Sequence, residues 1–121
     1  FGICVREAQP KAVMTSYNLL NGTHTAERRD LCEDVLRCEF GFDGIIMTDD
    51  LAMAGITDYC TTGNAALEAI LAGCDMLCCS NWSTQYPAVW EAVGNGTVTE
   101  ERLNESAARI LRVKYDMGLW Q

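Results

Sequence analysis

A chain of 121 residues that is 49% apolar and 21% charged has the size and composition of one globular domain, able to bury about two-thirds of its unfolded surface. Its formal net charge of -8 excludes nucleic acid and anionic membranes as partners, because both would repel it. No run reaches the roughly 18 to 20 apolar residues of a membrane span, and no basic leader with a small-residue cleavage site is visible.

In chain order, the first strand is expected over residues 11–18, "KAVMTSYN", after Pro10. A polar turn follows, signalled by Asn21-Gly22. From about Glu27 to Phe40 the pattern turns helical, with Leu31, Val35, Leu36 and Phe40 at three- and four-residue steps. Thr25 is the expected N-cap and Gly41 the expected terminator. A second strand spans residues 44–48, and residues 51–63, rich in Thr, Gly and Asp, are read as a long loop.

Residues 64–71 read as a helix capped by Asn64 and ended by Gly73. The third strand, "CDMLCCS" over 74–80, is nearly continuous in its hydrophobicity, the pattern of a strand covered on both faces. A short helix is expected over 86–93. A last one starts near Thr99, with Leu103, Ala107, Ile110, Leu111 and Lys114 along one side and Glu and Arg facing solvent. Its opening acids suit a helix N-terminus.

The order βα-βα-βαα implies parallel strands joined by right-handed crossovers. The fold class is α/β, a partial TIM-type barrel of about three parallel βα units plus a C-terminal helix. A closed eight-stranded barrel takes roughly 250 residues, so residues 1–121 would form a single fragment supplying about three-eighths of one. The chain opens on Phe1 and not Met, which fits a piece of something longer. The alternative is a small doubly wound sheet, but no glycine-rich phosphate turn follows any strand, so a nucleotide site is unsupported. Exposed edges of a partial barrel would favour a homo-oligomer.

Seven cysteines form no CxxC pair, and no His stands at zinc-ligand spacing, so neither a metal nor a cofactor is expected. Several lie in apolar runs, where free Cys packs as a small hydrophobe. A reducing, cytoplasmic compartment fits this usage.

In either architecture the C-terminal strand ends face the ligand. They carry Ser16-Tyr17-Asn18, Thr48-Asp49-Asp50 and Ser80-Asn81-Trp82, while the strand bodies are apolar. An aromatic, amides and a carboxylate on one rim suit a carbohydrate, with hydroxyls that need partners and a C–H face that stacks on rings. Asp43 and Asp75 enter their strands at the other end, and His24, the only histidine, lies in the Asn-Gly turn region. None of these three is assigned to chemistry.

The segments "KAVMTSYNLLNG", "RDLCEDVLRCEFGFDGIIMTDD", "EAILAGCDM" and "RLNESAARILRVK" resemble, in order and spacing, landmarks of glycoside hydrolase family 3. The resemblance implies that Asp49 is the nucleophile of a retaining β-glucosidase, with Tyr17 contacting it. Hydrogen bonds from Tyr17, Thr48 or backbone amides would keep such a carboxylate ionised. Asp50 and Trp82 join Tyr17 as expected substrate-site residues, Asp50 with a capping duty and Trp82 either packed under a loop or stacked on a sugar. Asp50 stands where glucosidases usually carry Trp, and "DDLAM" is more similar to the N-acetylglucosaminidase branch, so that sugar stays open, as does a non-catalytic carbohydrate-binding role. Asp49 and Asp50 should diverge, since neighbours on a strand face opposite ways. The resemblance places the proton donor outside these residues, and the fragment alone is expected to be inactive.

Overall fold

The computed structural model describes residues 1–24, 28–57, 60 and 64–119. The strands are β1 (Ala12–Met14), β2 (Leu19–Leu20), β3 (Thr23–His24), β4 (Ile45–Asp50) and β5 (Met76–Cys78). β1, β4 and β5 form one parallel sheet with β4 in the middle. This is the partial TIM-type α/β architecture expected from the order of elements. Ile45, Ile46 and Thr48 are buried on β4, as a central parallel strand requires. β5 departs from expectation: Met76 and Leu77 are half-buried and Cys78 is exposed, because β5 borders the sheet and, among the described residues, meets a neighbouring strand on one side only.

The first strand is also shorter than residues 11–18. After the Thr15 N–H bonds the Met47 carbonyl at 2.8 Å, the chain leaves the ladder and turns Tyr17 toward the end of β4. The Asn21-Gly22 signal holds, and it closes a hairpin of β2 and β3. Both turn residues have left-handed φ, 54° and 84°, the geometry of a two-residue hairpin turn.

Helix α1 is a single wide turn, Cys4–Ala8. Helix α2 (Asp30–Glu39) is also wound wide, with the Phe40 N–H reaching the Val35 carbonyl at 2.9 Å. The expected Thr25 cap lies outside the described residues. Gly41 ends α2 at φ +66°, as glycine beyond a helix end does. Gly44 then admits no side chain, since a Cβ would fall 2.6 Å from both the Lys11 carbonyl and the Phe42 ring. Helix α3 (Ala54–Thr57) is a short turn within the region expected to be irregular. Helix α4 (Ala65–Ala72) is capped by Asn64, which accepts the Leu67 N–H at 2.9 Å, and ends at Gly73 with φ 110°.

Helix α5 (Trp82–Gly94) starts ahead of the expected Tyr86 and holds Pro87 in its interior. Proline favours a first turn, and that preference pulls a sequence-based boundary too far along. Helix α6 (Glu100–Asp116) is capped by Thr99 as expected.

The face α6 presents inward keeps part of the apolar stripe read from its sequence, with Leu103 packed on the core and Ile110 half-covered near the buried Val113, and adds polar residues to it. Ala107 and Leu111 are exposed, whereas Arg102, Ser106 and Arg109 are more covered. All three reach Asp75, whose side chain has no exposed surface. Arg37 of α2 reaches the other oxygen of Asp75, which also accepts the Ile46 N–H at 3.0 Å. Further along α6, Arg112 holds Asp43 at 2.7 Å and Asp116 holds Lys11 at 3.0 Å. The helix therefore straps the N-terminal ends of β5, β4 and β1 in turn.

The strap's contacts are unequal. Asp75→Ala would leave three guanidinium groups around an apolar gap and should cost about 3–5 kcal/mol. Lys11→Ala removes an exposed pair and should cost under about 1 kcal/mol. Urea unfolding of both variants decides: equal losses would show that the strap is not organised around Asp75.

Candidate functional site

At the opposite ends of the strands the ladder is irregular. Met47 pairs with Met76, but the next pair is Asp50 with Cys78, so β4 carries one more residue than β5 over this stretch. Such a bulge re-aims side chains and is common at barrel rims. Thr48 is fully buried, and its hydroxyl accepts the Cys78 N–H at 3.0 Å. Asp49 is half-buried, and its Oδ1 accepts the Asp50 N–H at 2.8 Å.

The Asp50 carboxylate turns elsewhere. Its Oδ1 accepts the N–H of Ala52 and of Ser80, both at 3.0 Å. These bonds, Ser80 first, hold its carboxyl below the ordinary range. The two acids thus serve different amides, and Asp50 ties the end of β4 to the segment leaving β5.

Tyr17 meets this end of β4, though not through a carboxylate. Its hydroxyl donates to the backbone carbonyl of Asp49 at 2.5 Å, and the Thr48 side chain bonds the phenol oxygen. Burial pushes the phenol well above its ordinary value, and the charges of Asp49 and Asp50 push the same way against the opposing Thr48 bond. The ring packs on the cluster of Leu51, Ile56, Ala65 and Ala66. α3 closes over it, since a Cβ on Gly55 would sit 3.7 Å from the Tyr17 Cβ.

Trp82 opens α5 just beyond Ser80-Asn81 and is 67% exposed, so it does not pack under a loop. The rim thus joins Tyr17, Thr48, Asp49, Asp50 and Ser80 by bonds, with Trp82 beside the segment that Asp50 holds. His24 stands in β3, paired with Leu19. Among the described residues no three His, Cys, Asp or Glu gather at metal-binding distance. Sequence reasoning missed the bulge and the use of the Thr48 hydroxyl within the sheet. No residue type announces a bulge, whereas a threonine inside a buried strand does demand a partner.

A parallel β/α sheet that gathers an acid pair, a phenol and a tryptophan at the C-terminal ends of its strands has the anatomy of a barrel-type enzyme domain. Residues 1–113 match the profile of the Glycosyl hydrolase family 3 N terminal domain, and the chain belongs to that family. A β-glucosidase from Rhizobium radiobacter is 36% identical over 121 residues, which is 100% of this chain and 14% of the relative. The structure of β-glucoside phosphorylase BglX superposes with a TM-score of 0.86 at 27% identity, over 95% of this chain and 23% of that one. A family 3 β-N-acetylglucosaminidase from Paenibacillus sp. str. FPU-7 superposes with a TM-score of 0.79 at 31% identity, over 89% and 22%. The chain thus spans a small part of each of these proteins.

The Tyr17 environment is testable by titration. Its folded-state pKa is raised, so its contribution to stability is whole below the ordinary phenol value of about 10. It is lost as the pH rises through and beyond that value. Phenolate absorbance should reveal one late-ionising tyrosine that disappears in Tyr17→Phe. A parent protein whose four tyrosines all ionise together near the ordinary value would refute the burial of this phenol.

Proposed function

We propose that this chain is the nucleophile-bearing part of a retaining glycosidase acting on terminal β-D-glucosides, with Asp49 as the attacking carboxylate. The observation that carries the reading is the setting of Asp49 on the bulged end of the central strand. One oxygen is fixed by the Asp50 N–H, and the residue's own carbonyl is fixed by Tyr17. Among the described residues no donor occupies the other oxygen, Oδ2, which is the one left for the anomeric carbon. Attack there breaks the glycosidic bond, forms a glycosyl ester and sends the bonding pair to the leaving oxygen, which takes a proton. Water then cleaves the ester.

A retaining pair needs its second group about 5 to 5.5 Å from the first. Asp50 is engaged by two amides and is read here as the holder of the rim. The proton donor then comes from outside this segment, and the isolated chain should turn over no substrate. Tyr17 positions Asp49, and Trp82 offers a ring for stacking where Asp50 replaces an aromatic after the nucleophile.

An N-acetylglucosaminidase is the second reading, favoured by that same Asp50 within "TDDLAM". In an active enzyme built on this segment, 2-deoxy-2-fluoro-β-glucosyl fluoride should esterify Asp49, as located by peptide mass. Asp49→Ala should lose turnover of a fluorogenic β-glucoside by about 10³-fold or more, the scale of losing a covalent nucleophile. Undiminished turnover by that variant would end the assignment, and faster turnover of the N-acetylglucosaminide would move it to the second reading.

The borders of the sheet support a further property of the isolated chain. Among the described residues β1 and β5 each pair on one side only, and an open strand edge invites another strand. Self-association that grows with concentration is expected in sedimentation, and a compact monomer throughout would count against it.

A further inference from the structure

Helix α5 carries aromatic residues its core packing does not require. Ala92 is buried and Val89 packs against the same cluster, so the inner side of the helix is already apolar. Trp82, Tyr86 and Trp90 recur at four-residue steps, which lines them along one helix face. They are 67%, 55% and 68% exposed. The rings of Tyr86 and Trp90 stack with centroids 6.1 Å apart and planes 24° from parallel, so the two aromatics form one exposed unit. Single exposed apolar residues are ordinary, but a contiguous patch marks a place where something binds.

We propose that Tyr86 and Trp90, continuing outward from Trp82, form a holding surface for a neutral β-glucan chain, separate from the rim where Asp49 acts. The chemistry of the face selects this occupant. Residues 82–90, "WSTQYPAVW", contain no charged side chain in a protein of net charge -8. A polyanion is repelled by the whole molecule, and a cation finds no carboxylate on this stripe. A polyhydroxylated neutral chain finds flat rings for its C–H faces. It also finds an acceptor: Pro87 lacks the N–H that would bond the Ser83 carbonyl in a regular helix, and both residues are exposed. From Trp82 to Trp90 the helix advances about 12 Å, longer than one sugar ring, so the surface suits a polymer and not a monosaccharide. Trp82 makes it continuous with the rim, so a strand held there is delivered toward the site. The ligand class rests on the carbohydrate reading above, while the surface itself is independent of Asp49.

The test is native-gel retardation of the 121-residue chain by soluble mixed-linkage β-glucan. Retardation is expected, with weak competition by glucose. Trp90→Ala and Tyr86→Ala should each weaken binding about tenfold, as loss of an aromatic anchor does, with circular dichroism unchanged. Asp49→Ala should bind as the parent does, so a failed esterification of Asp49 beside intact retardation would remove the nucleophile assignment and leave the surface standing. Three results would overturn the proposal: no retardation of the parent chain, retardation that survives both aromatic substitutions, or retardation abolished by Asp49→Ala. A self-association in glucan-free buffer that Trp90→Ala abolishes would also overturn it, since the face would then seat a second copy.

Discussion

A carboxylate with no exposed surface is costly unless its charge is matched, and Asp75 is matched by three guanidinium groups from two helices. Its backbone is committed as well, because its N–H bonds the Ile46 carbonyl at 2.7 Å while its carboxylate accepts the Ile46 N–H. One residue therefore sets the register of β5 beside β4 and fixes α2 and α6 beneath them. The cations cannot gather without it. Arg37 is pulled below its ordinary pKa first by burial, with Arg109 adding to the effect and Asp75 opposing it. The bonds Arg37 gives to the Phe42 and Gly44 carbonyls, at 2.8 and 2.7 Å, extend the clamp to the loop that enters β4.

This constraint divides the sheet into two unlike ends. At the N-terminal ends, ion pairs of α6 hold all three strands at Asp75, Asp43 and Lys11. At the C-terminal ends, Thr48, Asp50 and Tyr17 instead bond backbone amides and a backbone carbonyl. Of the lower contacts those of Asp75 are buried, whereas Asp43 and Lys11 make exposed pairs that hold less, so rigidity concentrates at Asp75. A site that must accept a ligand is better placed where the framework is already fixed from beneath.

Much of this organisation was legible in the chain itself. Periodicity and caps located α4 and α6, because Asn64, Gly73 and Thr99 act through local backbone geometry. The run Ile45-Ile46-Met47 marked the central strand for a similar reason, since burial on both faces needs continuous hydrophobicity. What escaped was set by tertiary contact. Arg102 and Arg109 read as solvent-facing, and nothing local tells an arginine that a buried aspartate awaits it. The strands β1 and β5 read as longer than they are, because apolar composition reports a wish to be covered and not the presence of a neighbour. At the rim, residue types indicated Asp49 and Tyr17, but the atoms through which they meet follow from the bulge.

The bulge also explains why two adjacent acids stand at a strand end without defeating each other. Like charges side by side repel, so each acid needs donors of its own. Here the extra residue on β4 separates the duties: Asp50 spends its charge on the Ala52 and Ser80 amides, and Asp49 receives the Asp50 N–H. Each negative charge is thus solvated by its own backbone dipoles before any ligand arrives. The same Asp50 contacts close the gap between β4 and the start of α5, which places Trp82 on the rim. The two parts of Asp50 thus do different work: its carboxylate ties β4 to the segment leaving β5, and its N–H holds Asp49.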